Sequence, residues 1–314
     1  GTTQAYKFAA LSTKKWYRSS MVVTVPETTK SVALGGSIKV ALDAKLYIDN
    51  ITVTAIPDGY SAVSYFSPMG NAPESKLVKT GTTVKIPTMG NIGSYRFIGW
   101  CYGADNTLLT VDRYVADKSI QFNAEFTVNH FTEGFEDTAY AYDFGEKGYE
   151  SGWEIYDAKA SGSNADNAHG GRYSLHRLSG DPSFRAYSIH SNKVLAEYTL
   201  SAPVAYTVSM WVKVENPVHK LGAIEIMNST KAVVPWSYEG ERYAIAAIAD
   251  IADGEWHKVS FTFNSVTHYL SIVTPGNLSI YIDDITIEYA GDKSTDSSVN
   301  YQEYIPCFLN SDGT

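Results

Sequence analysis

The sequence predicts an all-β protein built from antiparallel sandwiches or barrels, and three observations carry that reading. Stretches with a period of two recur, as in YTVSMWVKV (Tyr206 to Val214), HKVSFTFN (His257 to Asn264) and SIYIDDITIEY (Ser279 to Tyr289), with turn clusters between them. No long segment repeats its apolar residues every 3.6 positions, and the chain has 23 tyrosines, a residue type that suits the pleated surface of a sheet. The third observation is an internal repeat, which divides the chain.

The repeat pairs YKFAALSTKKWYRSSMVVTV, starting at Tyr6, with YAIAAIADIADGEWHKVSFTF, starting at Tyr243. Each copy has an apolar strand, a short loop, a tryptophan and a second strand. Each then reaches a near-identical ending, AKLYIDNITVTA from Ala44 and LSIYIDDITIEYA from Leu278. Residues 1–56 therefore read as the closing part of a domain whose complete version spans 129–291. The first copy lacks the opening strands, so the chain is expected to be a piece of a longer multidomain protein. Between the copies, 57–128 is a different unit with strands AVSYFS, TTVKIP, YRFIGWCY and SIQFNAEFT. The remainder, 292–314, starts as a polar linker, and Tyr301 to Leu309 is expected to add an edge strand to the incomplete first domain.

Bulk properties narrow the function. A length of 314 residues suits two or three domains, and 44% hydrophobic with 19% charged residues is ordinary for a folded chain. The formal net charge of −9 argues against nucleic acid and anionic membrane as partners. The two cysteines, Cys101 and Cys307, make neither a disulfide framework nor a zinc motif. No apolar run reaches the length of a membrane span. GTTQAYKF has no basic n-region and no apolar h-region, so an exported protein would already have lost its signal.

Catalytic motifs do not assemble. HGGRYS (His169 to Ser174) has the His-Gly-Gly of a lipase turn, but no Gly-x-Ser-x-Gly elbow accompanies it. DFG (Asp143 to Gly145) lacks every other kinase element, and neither HExxH nor a phosphate-binding loop occurs. Among 34 acidic residues, no pair can be singled out for glycoside hydrolysis. The expectation is a protein that is not an enzyme.

In order along 129–291 come Gly134-Phe135-Glu136, then Gly171-Arg172-Tyr173-Ser174-Leu175, then Tyr206 to Lys213, then Ile282-Asp283-Asp284-Ile285. This ordered set resembles the galactose-binding-like jelly rolls of carbohydrate-binding modules. The DGEWHKVSFTF stretch with a later YIDD is also similar to laminin-G and concanavalin-like lectin sandwiches, which the opening Gly-Phe-Glu fits less well. The jelly-roll resemblance implies a structural Ca2+. Calcium takes six to eight oxygens from carboxylates and backbone carbonyls. Glu136, the Gly171 and Arg172 loop, and Asp283 are the expected ligands. Asp284 is expected to face solvent or to stand behind Asp283, since its counterpart is Asn50. The alternative is a carboxylate that caps a turn or pairs with arginine.

Sugar recognition needs aromatic faces and planar polar groups. Trp211 alternates away from Tyr206, Val208, Met210 and Val212, which read as core. Trp236 and Tyr238 lie in VPWSYEGERY, Trp153 lies in SGWEIY, and Glu225 lies on the outer alternation of AIEIMN. These are the candidate ligand-binding residues. Trp256, like Trp16, is expected to be a core anchor.

The middle unit, from Val63 to Thr127, is similar to the internalin B-repeat type of bacterial surface proteins. The matching features are Gly81-x-x-Val84, Pro87 and Tyr95-x-Phe97-x-Gly99-Trp100. That resemblance implies a small β-grasp-like spacer with Trp100 in its core. Cys101 stands where that family commonly has tyrosine, and the family's double glycine is replaced by SPMGN. Together the expectations describe a jelly-roll β-sandwich, a β-grasp-like spacer and a partial second sandwich. They belong to a secreted or cell-surface bacterial protein that binds glycans without catalysis. The alternative is a structural stalk or adhesin segment that binds protein or nothing.

Overall fold

The computed structural model describes residues 15–29, 31–33, 45, 47–70, 72–136, 153–155, 161–164, 167–177, 186–191, 195–196, 199–215, 220–229, 240–275 and 278–301. The chain divides into two compact units, one of residues 1–89 with 99–125 and one of 90–98 with 126–314.

Seven strands belong to the stretch expected to form a spacer: β1 (Tyr60–Phe66), β2 (Lys76–Lys79), β3 (Thr82–Lys85), β4 (Tyr95–Tyr102), β5 (Thr107–Leu108), β6 (Arg113–Ala116) and β7 (Ile120–Val128). They give a five-stranded sheet in the order β2-β1-β7-β4-β5 and a separate β3-β6 pair. β1 and β7 run parallel, with Val63 opposite Ile120. Aromatic rings fill this small core. Tyr65 lies 5.1 Å from Trp100 and 5.8 Å from Phe122, and Tyr114 meets Phe122 edge-on at 5.3 Å. The buried Trp100 indole donates to the Pro87 carbonyl at 2.6 Å, which satisfies its one polar atom. Cys101 is buried in the same core.

The other strands are β8 (His130–Glu133), β9 (Trp153–Ile155), β10 (Ser161–Asn164), β11 (Ser174–Arg177), β12 (Ala186–Ser191), β13 (Val204–Val214), β14 (Ala223–Ser229), β15 (Glu241–Ala247), β16 (Trp256–Ser265), β17 (Tyr269–Pro275) and β18 (Ile280–Gly291), with one helical turn, α1 (Ile248–Ile251). They make a two-sheet sandwich. One sheet has the order β10-β11-β18-β13-β16, with β8 also on β18, and the other has the order β15-β14-β17-β12-β9. The core follows from alternation. Tyr206, Val208, Met210 and Val212 of β13 are fully buried against Ile224, Ile226, Leu270, Ile272, Phe261 and Phe263. Tyr206 keeps its hydroxyl satisfied inside, 2.6 Å from Thr127 Oγ1, which in turn donates to the Leu195 carbonyl at 2.9 Å.

One expectation is corrected. The repeat predicts strands within residues 1–56, but among the described residues of that stretch none lies in a strand. The expected edge strand, Tyr301 to Leu309, lies outside the described residues except for Tyr301, but the residues before it are placed. Thr262 donates to Asp296 at 2.6 Å, Asp296 donates back to the Thr262 carbonyl at 2.8 Å, and Val299 donates to the Ala244 carbonyl at 3.0 Å. Residues 295–299 thus follow β16 and β15 of the complete sandwich, whose backbone groups accept them. Residues 302–314 lie outside the described residues.

Candidate functional site

The site grows from a change of phase in β18. Ile280 and Ile282 point into the core, and so do Ile285 and Ile287, all of them buried. A flat strand cannot do this, because 282 and 285 fall on opposite faces at a period of two. Opposite them, Ser209 and Trp211 of β13 pair with Thr286 and Asp283, so two steps on β13 face three on β18. The extra residue makes a β-bulge. Asp284 takes the strain with φ 47°, a left-handed conformation that aspartate tolerates better than most residues.

The bulge also marks a change of neighbour. On the other side of β18, β11 pairs as far as Leu175 opposite Ile282, and β8 begins at Glu133 opposite Ile285. Into this gap fold the Gly134–Glu136 turn after β8 and the 167–173 loop before β11. Asp283 is fully buried there. Its Oδ2 accepts the amides of His169 (2.8 Å) and Gly170 (3.1 Å), and its Oδ1 accepts the amide of Asp284 (2.7 Å). Glu136 Oε1 accepts the amides of Arg172 (2.8 Å) and Tyr173 (3.0 Å). Burial raises the Asp283 pKa above the ordinary carboxylate range, the amides of Gly170, His169 and Asp284 oppose that shift, and the neighbouring Asp284 charge adds to it.

Glycines make the approach possible. A Cβ on Gly170 would lie 2.7 Å from Asp284 Oδ2, and one on Gly171 would lie 2.2 Å from Glu136 Oε1. Gly171 also has φ +60°. Only residues without a side chain let two carboxylates sit this close to the loop backbone.

Above the bulge, the outer face of the sheet carries a row of rings. His169 stacks on Trp211 at 3.8 Å, its Nδ1 lies 2.8 Å from Asp284 Oδ2, and it meets Trp256 edge-on at 5.6 Å. Trp256 neighbours Tyr281 at 6.4 Å, and Tyr281 stacks on His176 at 3.9 Å. Tyr281 donates to Glu215 at 3.0 Å, and Lys213 donates to Asn167 at 3.0 Å. Burial lowers the His176 pKa, while the nearby Glu215 charge opposes the shift. Glu215 is itself lowered, first by a hydrogen bond from Ser279.

The structure therefore brings Glu136, Gly171, Arg172 and Asp283 together, although they lie about 150 positions apart. Glu136 and Asp283 each serve as an acceptor for loop amides, the arrangement of a carboxylate that caps a turn. Asp284 is partly exposed, at the edge of the cluster. Among the described residues, no group of three or more His, Cys, Asp or Glu side chains is arranged to hold a metal ion.

The expected sugar-binding residues fare differently. Trp211 is on the outer face as expected, with one face of its indole against His169. Glu225 is corrected. It is buried, pairs with Arg242 and accepts from the Tyr301 hydroxyl at 2.9 Å, so it does not line an open groove. A buried carboxylate needs such partners to stay charged. Trp153 lies on edge strand β9 by its backbone, while its side chain, Trp236 and Tyr238 lie outside the described residues. Trp256 is corrected too. It is on the outer face, because Val259, Phe261 and Phe263 take the inward alternation of β16.

Residues missed by sequence reasoning are His169, which the lipase-like motif disguised, and the stacked pair His176 and Tyr281. A separate polar cleft of about 450 Å³ is lined by Asn228, Glu241, Tyr243, Asn264, Thr267 and Thr295. Its Tyr243 hydroxyl is pushed up to about 12, mainly by burial and then by its bond to Glu241.

No protein-family profile and no curated protein matches the chain. Among solved structures, the chain is similar to the CBM22-1 xylan-binding domain of Paenibacillus barcinonensis Xyn10C. The identity is 12%, 52% of this chain and 95% of that one are covered, and the TM-score is 0.36. It is also similar to the K1 cleaved adhesin domain of Lys-gingipain from Porphyromonas gingivalis W83, at 13% identity, 52% and 99% coverage and a TM-score of 0.35. TmCBM61 in complex with β-1,4-galactotriose matches at 16% identity, 44% and 88% coverage and a TM-score of 0.25. Likenesses this distant do not bear on what the chain binds.

Proposed function

We propose that the sandwich of residues 129–291 is a non-catalytic glycan-binding module of a secreted or cell-surface bacterial protein. The observation that supports this reading is the row Trp211, His169, Trp256 and His176 on one outer sheet face, packed on the buried Tyr281 and bordered by Lys213, Glu215 and Asn167. Aromatic edges and faces suit the C–H surfaces of pyranose rings, and the amide, carboxylate and ammonium groups suit their hydroxyls. Among the described residues, no helix is long and apolar enough to cross a membrane.

A structural calcium belongs to the same proposal. The donors that meet at the bulge are hard oxygens of the kind calcium takes, and a cation would relieve the cost of burying the Asp283 charge. Glu136, Asp283 and the carbonyls of Gly171 and Arg172 would hold it. When bound, it would supply a stabilising link between the start and the end of the sandwich.

A glycan array of plant, mucin and host glycans, run with and without EDTA, tests the reading. Trp211→Ala and Trp256→Ala are expected to weaken the best ligand at least about tenfold, or about 1.4 kcal/mol. Absence of binding to every glycan would favour the second reading, a structural stalk or adhesin segment. That reading draws on the other sheet, where Glu225, Met227 and Val273 on the outer alternation are all buried and offer no open groove.

A further inference from the structure

Among the described strands, β16 is the last of one sheet of the sandwich and β15 the last of the other. An edge strand offers its outward amides and carbonyls to any second strand. On its inner side β16 pairs with β13, where Thr207 lies opposite Thr262 and their hydroxyls meet at 3.0 Å. Side chains this close mark a non-hydrogen-bonded pair, so the amide and carbonyl of Thr262 point away from β13, to the edge. One segment takes these groups. Thr262 donates to Asp296 Oδ2 at 2.6 Å, and its carbonyl accepts the Asp296 amide at 2.8 Å. The amide and the side chain of Asn264, two residues on, both donate to Thr295 Oγ1 at 3.1 Å. The segment then crosses to the second sheet, where Val299 donates to the Ala244 carbonyl at 3.0 Å and Tyr301 donates to Glu225 at 2.9 Å.

Residues 293–301 lie in no strand. The edge of β16 is therefore closed by a carboxylate, a hydroxyl and one amide. A strand in this place would carry the row of edge groups one step outward, whereas a side-chain cap ends it. Beneath the cap, β16 is complementary to itself. An antiparallel pair of two copies centred on Thr262 sets Thr262 opposite Thr262, Ser260 opposite Asn264, Phe261 opposite Phe263 and Lys258 opposite Val266. Opposite residues share a face in such a pair. Phe261 and Phe263 are both buried on the inward face, Ser260 and Asn264 both lie on the outer one, and no like charges meet. Each Thr262 would exchange amide and carbonyl with its copy, the same two groups that Asp296 engages.

We infer that residues 292–301 are a strap that holds the chain monomeric, and that loss of its Thr295 and Asp296 anchor lets two copies pair through β16 about a twofold axis at Thr262. The occupant of the freed edge is a second copy, because β16 itself satisfies the register in faces, charge and edge-directed groups. A symmetric contact of this kind closes on itself and stops at the dimer. The inference is independent of what the sandwich binds.

The test uses the whole chain. Thr295→Ala with Asp296→Pro removes the hydroxyl, the carboxylate and the amide that hold the β16 edge. Sedimentation equilibrium from about 1 to 100 μM reads the assembly, and the expected result is a monomer for the unmodified chain and a dimer with a dissociation constant of about 10 μM or tighter for the variant. Hydrogen exchange reads the edge. In the dilute variant the amides of Thr262 and Asn264 should exchange at least about tenfold faster, and they should regain protection as the dimer forms, with 206–214 unchanged as the control for folding. Charge reads the register. Added to the variant, Ser260→Lys with Asn264→Lys sets like charges opposite each other and should restore the monomer, whereas Ser260→Lys with Asn264→Glu should keep the dimer. Should 206–214 lose protection, Asp296→Ala alone takes the place of the double variant in every measurement. The inference is overturned if the unmodified chain is already a dimer, or if the Thr262 and Asn264 amides stay protected in the dilute variant. A variant that frees these amides and remains a monomer also overturns it. So does a dimer that survives the paired lysines, which would assign the contact to another surface.

Discussion

Asp283 and Trp211 are cross-strand partners on the outer face of one sheet, at the position where β18 carries one residue more than β13. That extra residue lets Ile282 and Ile285 both reach the core, and it leaves two adjacent aspartates outside it. Asp283 is then covered by the 167–173 loop, and His169 from that loop lies on the Trp211 ring.

The bulge makes a prediction about length. Deleting Asp284 would turn Ile285 and Ile287 outward and is expected to abolish folding, since a one-residue slip reverses every side chain beyond it. Asp284→Val is expected to cost about 2 kcal/mol, because a β-branched residue resists the left-handed conformation, whereas Asp284→Asn should cost less than about 1 kcal/mol. Urea midpoints at constant slope would separate the three.

Gly171→Ala is expected to destabilise by about 3 kcal/mol. The added methyl collides with the Glu136 carboxylate, so the amides of Arg172 and Tyr173 lose a charged acceptor, and the backbone carries left-handed strain as well. Glu136→Ala, which removes the colliding group, should make Gly171→Ala cost less in the double variant if the collision is the cause. A double-mutant cycle in urea measures this.

Asp283→Ala leaves three amide donors facing a fully buried site and is expected to cost about 4 kcal/mol. Under the calcium proposal, about 2 mM calcium should raise the melting temperature of the unmodified chain by about 3–6 °C, and Asp283→Asn should show no response. Differential scanning calorimetry with and without EDTA reads both effects. A response retained by Asp283→Asn would remove this residue from the proposed site.

His176 sets a dependence on pH. Burial lowers its pKa in the folded state, so protonation favours the unfolded chain. Its contribution is present above the ordinary histidine value of about 6.5 and is lost as pH falls from there through the lowered folded value. His176→Phe, which keeps a ring against Tyr281, should flatten the fall in melting temperature between about pH 7 and 5.

Much of the complete sandwich was legible in the sequence. Alternation along 206–214 placed Tyr206, Val208, Met210 and Val212 inside and Trp211 outside, because a strand with one wet face writes its orientation in every second residue. The repeat and the jelly-roll resemblance named Glu136, Gly171, Arg172 and Asp283 as neighbours. The bulge was also written there, in the slip of phase between Ile282 and Ile285, and the slip recurs between Ile48 and Ile51. Trp256 and Glu225 were less legible. Whether an outward residue is open or covered depends on which loop or tail crosses it, and Tyr301 reaches Glu225 from 76 positions away.

The sequence by itself determined the class of the fold, the inward and outward faces of its strands, and the pairing of two closing motifs, since these depend on local alternation. Only the tertiary structure decided that the same motif is buried once and exposed once. Burial of β18 requires β13, β11 and β8 beside it, and among the described residues no strand pairs with those around Asp49.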